Sequence, residues 1–219
     1  MLKSFVISLV VSLVVAIGVN HQFAVEQAKF NQVDYSQIRQ ATYVISNDRG
    51  NGSGVLIAPN LMLTVAHLVK EHSPETPLVV GSDKKPITIL KVDESTDLAL
   101  VWVDKLDCPC VLVAKYLPKV DDKVQIVGFP LYETVKTQIL TEGLIQGFVL
   151  DEFRIVTSAP IAPGNSGGGL FKKNELIGIV SQGVQIGDYF GTSIIVHLGR
   201  SIDTNTINKF LKENNVSTR

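Results

Sequence analysis

The chain has 219 residues, a formal net charge of −1 at pH 7 and 45% hydrophobic residues. The near-neutral charge argues against a nucleic-acid partner, which would favour a basic surface, and two cysteines are too few for a disulfide framework. The length and apolar content are sufficient for one domain, or two small ones, with a sizeable core.

The start of the chain differs from the rest. Lys3 precedes the apolar run "SFVISLVVSLVVAIGV", and no further charge appears before Glu26. Such a pattern is typical of a signal peptide or of an uncleaved membrane anchor, and both alternatives stay open. Either one predicts that residues 1–25 direct export to the periplasm or the extracellular space. If these residues are not cleaved, they are expected to form a single transmembrane helix. Residues 26–40 are polar with sparse apolar positions, which predicts a spacer or a short helix.

From Ala41 onward, short segments rich in Val, Ile, Leu and Phe alternate with turn residues, as β-strands do. Their number favours a pair of small β-barrels over one sandwich. The polar stretch 115–122 is the predicted linker, so we expect the first barrel over residues 41–118 and the second over residues 119–219.

The end of the second half predicts a helix. In "DTNTINKFLKENN", Asp203 or Thr204 is a candidate N-cap. Ile207, Phe210 and Leu211 are spaced three and four residues apart, which places them on one helical face. We expect this helix to pack on the second barrel.

The two cysteines, Cys108 and Cys110, flank Pro109. A disulfide across one intervening residue would be strained, and no second Cys or His pair has the spacing of a zinc site. We expect apolar fillers or free thiols.

The segment "APGNSGGG" at residues 162–169 places one serine, Ser166, among four glycines and a proline. Its composition is typical of a flexible linker. However, the hairpin pattern "LFKKNELIGIVSQG" follows at once. This position favours a backbone that holds the hydroxyl of Ser166 in place.

A serine hydroxyl is a weak nucleophile until a base removes its proton. There are four histidines. His21 lies in the export segment, His72 in a polar loop and His197 near the end of a late strand, where a structural role is expected. His67 lies at the end of the apolar run "LTVAHLV" and is the favoured base, although a histidine on an apolar element is often structural.

A carboxylate is also needed, because it would orient the imidazole. Asp97 opens the apolar strand "DLALVWV" and is favoured for that reason. Asp93 and Glu94, at the polar end before this strand, remain the alternatives.

The strings "TVAH", "TDLALV" and "GNSGG", in the order His, Asp, Ser, resemble those of the chymotrypsin-like serine peptidases. The stretches "GSGVLIAPNLMLTVAHLV" and "PIAPGNSGGGLF" are most similar to the HtrA/Deg branch, here expected without its PDZ domain. The resemblance implies an all-β fold of two six-stranded antiparallel β-barrels. It also implies that Ser166 is the nucleophile, His67 the general base and Asp97 its orienting carboxylate, with the N–H groups of Gly164 and Ser166 as the oxyanion hole. It implies no metal and no cofactor.

The resemblance further places Pro160 near the base of the first specificity pocket and Gly191 in the pocket's other wall. Ser181, Gln182 and Gly183 would pair with an extended substrate as an added strand. Because no carboxylate falls at the pocket base, we expect a small or medium apolar residue before the scissile bond.

Two departures concern activation. "RIVTS" at residues 154–158 is similar to the activation-cleavage site of digestive zymogens, but it lies too close to Ser166. Asn165 stands where those zymogens have an aspartate that captures the new N-terminus, so we expect no such activation.

The sequence therefore predicts a serine endopeptidase that acts on extended or unfolded polypeptides, with oligomerisation left open. The alternatives are a catalytically silent binding scaffold or holdase of the same fold, since folds do not dictate functions, and a membrane-anchored structural module.

Overall fold

The computed structural model describes residues 34–70, 73, 77–106, 109–189 and 192–216, with only the backbone at 184–189 and 192–197. The predicted export segment, most of the predicted spacer, His21, His72, Cys108 and Gly191 lie outside the described residues. Within the described part, no helix combines the length and the apolar character needed to cross a bilayer. Residues Tyr35–Arg219 form one compact unit.

The described residues of this unit form fourteen strands and four helices. The strands of the first half are β1 (Thr42–Asn47), β2 (Gly50–Ala58), β3 (Leu61–Val65), β4 (Val79–Val80), β5 (Lys85–Pro86), β6 (Thr88–Asp93) and β7 (Leu98–Trp102). Those of the second half are β8 (Leu112–Val113), β9 (Lys123–Gly128), β10 (Ile139–Val149), β11 (Arg154–Thr157), β12 (Gly169–Lys172), β13 (Glu175–Tyr189) and β14 (Thr192–Asp203). The helices are α1 (Ser36–Gln40), α2 (Ala66–Val69), α3 (Tyr132–Val135) and α4 (Thr204–Glu213).

The second sheet is a closed barrel. Its strand order is β12-β9-β10-β11-β14-β13, and pairing of β12 with β13 closes the six strands. All these pairs are antiparallel, and β8 is added outside the ring, parallel to β13. Closure pairs the strands of this ring with one another, although β13 extends beyond its pairing with β12, which ends at Ile179.

The first sheet is a half-barrel. Its seven antiparallel strands follow the order β5-β4-β1-β2-β3-β7-β6, and no pairing within the described residues joins β5 to β6. The all-β prediction of two barrel-like sheets is confirmed, but the six-stranded closed first barrel is not. The physical reason is that β4 and β5 have two residues each, and Pro86 lacks the N–H group needed to extend the ladder.

The apolar core is shared between the two sheets. One cluster of buried residues joins Leu63 and Leu98 of the first sheet to Phe171, Ile179 and Ile202 of the second. Burial of apolar surface is the main favourable term in folding. The half-barrel and the closed barrel therefore stabilise each other.

The predicted C-terminal helix is confirmed as α4. Asp203 is its N-cap, and its carboxylate accepts a hydrogen bond from the amide of Thr206 at 2.7 Å. Ile207, Phe210 and Leu211 are buried in the shared core, as their spacing predicts.

Cys110 is disulfide-bonded, so the expectation of a free thiol or a simple apolar filler is wrong for this residue. A disulfide depends on where the two sulfur atoms lie in the folded chain, which sequence spacing alone does not give.

Candidate active site

His67 and Asp97 are brought together by two neighbouring strands. His67 is the second residue of α2, which begins directly after β3, and Asp97 lies in the turn before β7, the partner strand of β3. Asp97 has a left-handed backbone with φ 63°, a conformation that aspartate tolerates better than most side chains. Its backbone carbonyl accepts from the amide of Ala66 at 3.1 Å, and its carboxylate accepts from the amide of His67 at 3.0 Å.

The imidazole of His67 is held by the same carboxylate. Nδ1 lies 3.0 Å from Oδ1 and 2.9 Å from Oδ2 of Asp97. The hydroxyl of Ser181 donates a further hydrogen bond to Oδ2 at 2.6 Å. A carboxylate at Nδ1 favours the tautomer that carries its proton there, which leaves Nε2 free to accept one.

The environment of Asp97 keeps its carboxylate ionised. Burial is the largest single influence on the pKa of Asp97 and acts to raise it. The hydrogen bonds from His67 and Ser181, with the charge of His67, together outweigh burial and lower the pKa below its ordinary value.

The alternative carboxylates serve other contacts. Asp93 accepts from the amide and hydroxyl of Ser95 at 2.9 and 2.6 Å and from the hydroxyl of Thr96 at 2.8 Å, so it stabilises the turn. Glu94 pairs with Lys70 at 2.8 Å. Of the three candidates, the structure brings only Asp97 to His67.

Ser166 lies in a turn that two glycines permit. Gly164 has φ 101° and Gly167 has φ 84°, values that side chains rarely adopt. A Cβ atom on Gly164 would collide with the carbonyl oxygen of Phe129. The hydroxyl of Ser166 donates to the carbonyl of Ser181 at 3.0 Å. Within the described residues, the amides of Gly164 and Ser166 donate to no acceptor.

Ser53 of the first sheet clamps the turn of Ser166 through its backbone and its hydroxyl. Its amide donates to the carbonyl of Ser166 at 2.7 Å, and its hydroxyl donates to the carbonyl of Gly164 at 2.8 Å. The same hydroxyl accepts from the amide of Phe129 at 3.0 Å. The carbonyl of Ser53 accepts from the hydroxyl of Thr64 at 2.7 Å. These buried bonds fix the serine turn of one barrel against the other.

A cleft of about 700 Å³ runs over these residues. Its walls include His67, Asp97 and Ser166, so all three predicted catalytic residues line one cavity. The predicted substrate-pairing residues Ser181, Gln182 and Gly183 also line it.

Pro160 directly precedes the residues that line this part of the cleft, and its predicted role at the pocket base stays a prediction. It is exposed, and its carbonyl accepts from the hydroxyl of Thr141 at 2.9 Å. Among the described residues, the cleft wall here is formed by Ile161, Ala162 and Pro163. The predicted Gly191 wall lies outside the described residues.

Sequence reasoning missed three features of the site. The roles of Ser53 and of the Ser181 hydroxyl depend on contacts between distant segments, and only the resemblance of "GSGVLIA" drew attention to the first. Arg154 lines the cleft as well, whereas its sequence context indicates only the zymogen-like string "RIVTS". No group of three or more His, Cys, Asp or Glu side chains in the described part is arranged to hold a metal ion.

Comparison with known proteins agrees with this geometry. A family model described as "Trypsin-like peptidase domain" matches residues 52–179. The chain belongs to this family. The matched range includes the positions of His67, Asp97 and Ser166 in this trypsin-like peptidase domain.

Curated relatives cover most of this domain. A probable periplasmic serine endoprotease DegP-like from Pseudomonas putida F1 is 31% identical over 176 residues, which are 76% of this chain and 36% of that protein. Protease Do-like 2, chloroplastic, from Arabidopsis thaliana is 27% identical over 74% of this chain and 28% of its own length. This chain therefore spans about a third of the length of the curated relatives it matches.

Solved structures share the fold of this trypsin-like peptidase domain. A serine endoprotease from Yersinia pestis has a TM-score of 0.68 and 24% identity, covering 83% of this chain and 66% of that chain. Rv3671c from M. tuberculosis H37Rv, in an inactive form, has a TM-score of 0.64 and 20% identity, covering 82% of this chain and 88% of that one.

The clamp can be tested by removing one hydroxyl. Ser53→Ala is expected to lower the free energy of unfolding by about 1–3 kcal/mol, because the buried carbonyl of Gly164 and the half-buried amide of Phe129 lose a partner. Ser46→Ala is the matched control, since Ser46 is half-buried on β1 and its hydroxyl forms no hydrogen bond within the described residues. Its expected effect is within about 0.5 kcal/mol. Urea denaturation measures both, and equal losses would contradict the clamp.

The lowered pKa of Asp97 predicts a pH-dependent contribution to stability. A carboxyl with a lower pKa in the native than in the unfolded state stabilises above the unfolded pKa, and this is lost as pH falls through the native pKa. Wild type should therefore exceed Asp97→Asn in free energy of unfolding at pH 5, and the difference should shrink between pH 5 and pH 3. Urea titrations across that range measure the difference. A gap that widens with acidification would show that the pKa is raised.

Proposed function

We propose that this chain is a serine endopeptidase that cleaves peptide bonds through an acyl-enzyme formed on Ser166. The observation that carries the proposal is that the hydrogen-bonded pair of His67 and Asp97 lines the same cleft as Ser166. Membership of the trypsin-like peptidase family supports it, as do relatives whose names describe serine endoproteases.

In the first step, Nε2 of His67 takes the proton of the Ser166 hydroxyl while the oxygen attacks the scissile carbonyl. The carboxylate of Asp97 keeps the Nδ1 proton in place and stabilises the imidazolium that forms. The Ser166 hydroxyl now donates to the carbonyl of Ser181. An N–H of a bound peptide would compete for that carbonyl and release the hydroxyl to His67.

The negative charge that develops on the scissile oxygen needs donors. The amides of Gly164 and Ser166 carry no protein acceptor in the described part of the chain. They are therefore available to the oxyanion, and a donor of this kind contributes about 3–4 kcal/mol to transition-state stabilisation. The imidazolium then gives its proton to the leaving amine, and water, activated by His67 in turn, hydrolyses the acyl-enzyme.

The expected substrate is an extended or unfolded polypeptide. The cleft is lined in part by Ser181, Gln182 and Gly183. These residues lie in β13, where its pairing with β14 becomes irregular. A substrate strand would pair with this segment through main-chain hydrogen bonds. Ile161 gives the adjoining wall an apolar surface, which suits a small or medium apolar side chain before the scissile bond.

The relatives described as periplasmic support an exported location for this chain. Export would rest on residues 1–25, as a cleaved signal or as an anchor. The division into two barrels is part of the same proposal, with β8 assigned to the second because it pairs with β13.

Casein hydrolysis tests the activity. Wild type is expected to cleave casein, Ser166→Ala to lose cleavage, and Asp97→Asn to fall by about 10⁴-fold, because its amide favours the wrong histidine tautomer. Asp93→Asn is the matched control, since it removes the same charge from a carboxylate that contacts only its own turn.

The control should keep wild-type turnover. A folded wild-type protein that binds unfolded casein without cleaving it would contradict the peptidase and support the silent scaffold.

A further inference from the structure

Arg154 is a half-buried arginine in the wall of the cleft. It is the first residue of β11, and its side chain lies beside the turn that carries Asp97. Nη2 donates to the carbonyl of Thr96 at 3.3 Å, and Nη1 donates to the carbonyl of Glu152 at 3.1 Å. These two backbone contacts hold the guanidinium in position at the rim of the catalytic pair.

The nearby carboxylates are engaged by other groups. Glu152 pairs with Arg200 at 2.9 Å. Within the cleft, Glu94 pairs with Lys70 at 2.8 Å, and Asp97 accepts hydrogen bonds from His67 and Ser181. Among the described residues, no carboxylate lies within ion-pair distance of Arg154.

The guanidinium therefore has binding capacity left over. It carries five N–H donors in a planar fork that suits a carboxylate, and the described contacts use only two of its nitrogens. Burial lowers the pKa of Arg154, and the charges of Asp97, Glu152 and Asp203 act to raise it. An arginine retains its charge at neutral pH even so. A cation held open in a cleft attracts an anionic group from the ligand.

We propose that Arg154 forms a subsite for a substrate carboxylate, so that the enzyme prefers an Asp or Glu side chain on the N-terminal side of the scissile bond. This inference rests on the proposed peptidase function and deepens it. It gives a specificity to a cleft whose other described charges are already paired.

The alternation of side chains along a strand indicates which substrate residue is involved. Successive side chains of an extended peptide point to opposite sides. If the residue before the scissile bond lies against Ile161, its neighbour points the other way, towards the turn of Thr96 and Asp97. Arg154 is bonded to that turn. The acidic residue is therefore expected two or four positions before the scissile bond.

Matched peptides test the subsite. Two pairs of peptides would be compared. The peptides of each pair differ only in having Glu or Gln, at the second position before the cleavage site in one pair and at the fourth position in the other. Wild type should cleave the Glu peptide with a kcat/KM about tenfold higher at one of these positions, as a charge-assisted hydrogen bond allows. Arg154→Gln should bring the ratio close to one, and Arg154→Lys should restore part of it.

Arg39→Gln is the control for net charge. Arg39 is an exposed arginine of α1 and is not among the residues that line the cleft. Its variant should keep the wild-type ratio. A wild-type ratio near one at both positions would overturn the subsite, even if Arg154→Gln failed to fold. A ratio that falls equally in both variants would also overturn it.

Binding to Ser166→Ala separates this inference from the proposed function. Isothermal titration of Ser166→Ala with the Glu and Gln peptides of each pair measures recognition without cleavage. About tenfold tighter binding of the Glu peptide, lost on adding Arg154→Gln, supports the subsite even if no peptide is hydrolysed. Equal affinities overturn it, and hydrolysis by wild type would then leave the peptidase function intact.

Discussion

The site depends on the hydrogen bonds that the carboxylate of Asp97 accepts. It accepts hydrogen bonds from the backbone and the ring of His67, in the helix that follows β3, and from the hydroxyl of Ser181, in the second sheet. Each bond lowers the energy of the ionised form, and together they outweigh the cost of burying it. One charged group thus orients the histidine and links the two barrels next to the cleft.

Ser53 provides the matching constraint on the other side. It belongs to the first sheet, yet its amide and hydroxyl donate to the backbone carbonyls of Ser166 and Gly164. A catalytic group must be held to within a fraction of an ångström to be effective. The proposed mechanism has His67 and Asp97 on one barrel and Ser166 on the other, which requires such a rigid join, and the shared apolar core supplies the rest of it.

The sequence was informative where the chemistry is local. His67, Asp97 and Ser166 each lie in a short string whose strand or turn character could be identified, and the spacing of Ile207, Phe210 and Leu211 predicted the last helix. Features that are determined by contacts between distant segments could not be predicted from the sequence. The Ser53 clamp, the open guanidinium of Arg154 and the half-barrel form of the first sheet each depend on which distant segments meet.

Mass spectrometry after exposure to a fluorophosphonate tests the central claim most directly, because the reagent reacts covalently with a serine only where a base and an oxyanion hole activate it. The account predicts one adduct per chain, on Ser166, with none on Ser166→Ala. An unmodified Ser166 in folded protein after prolonged exposure, or an adduct on Ser181 in its place, would contradict it.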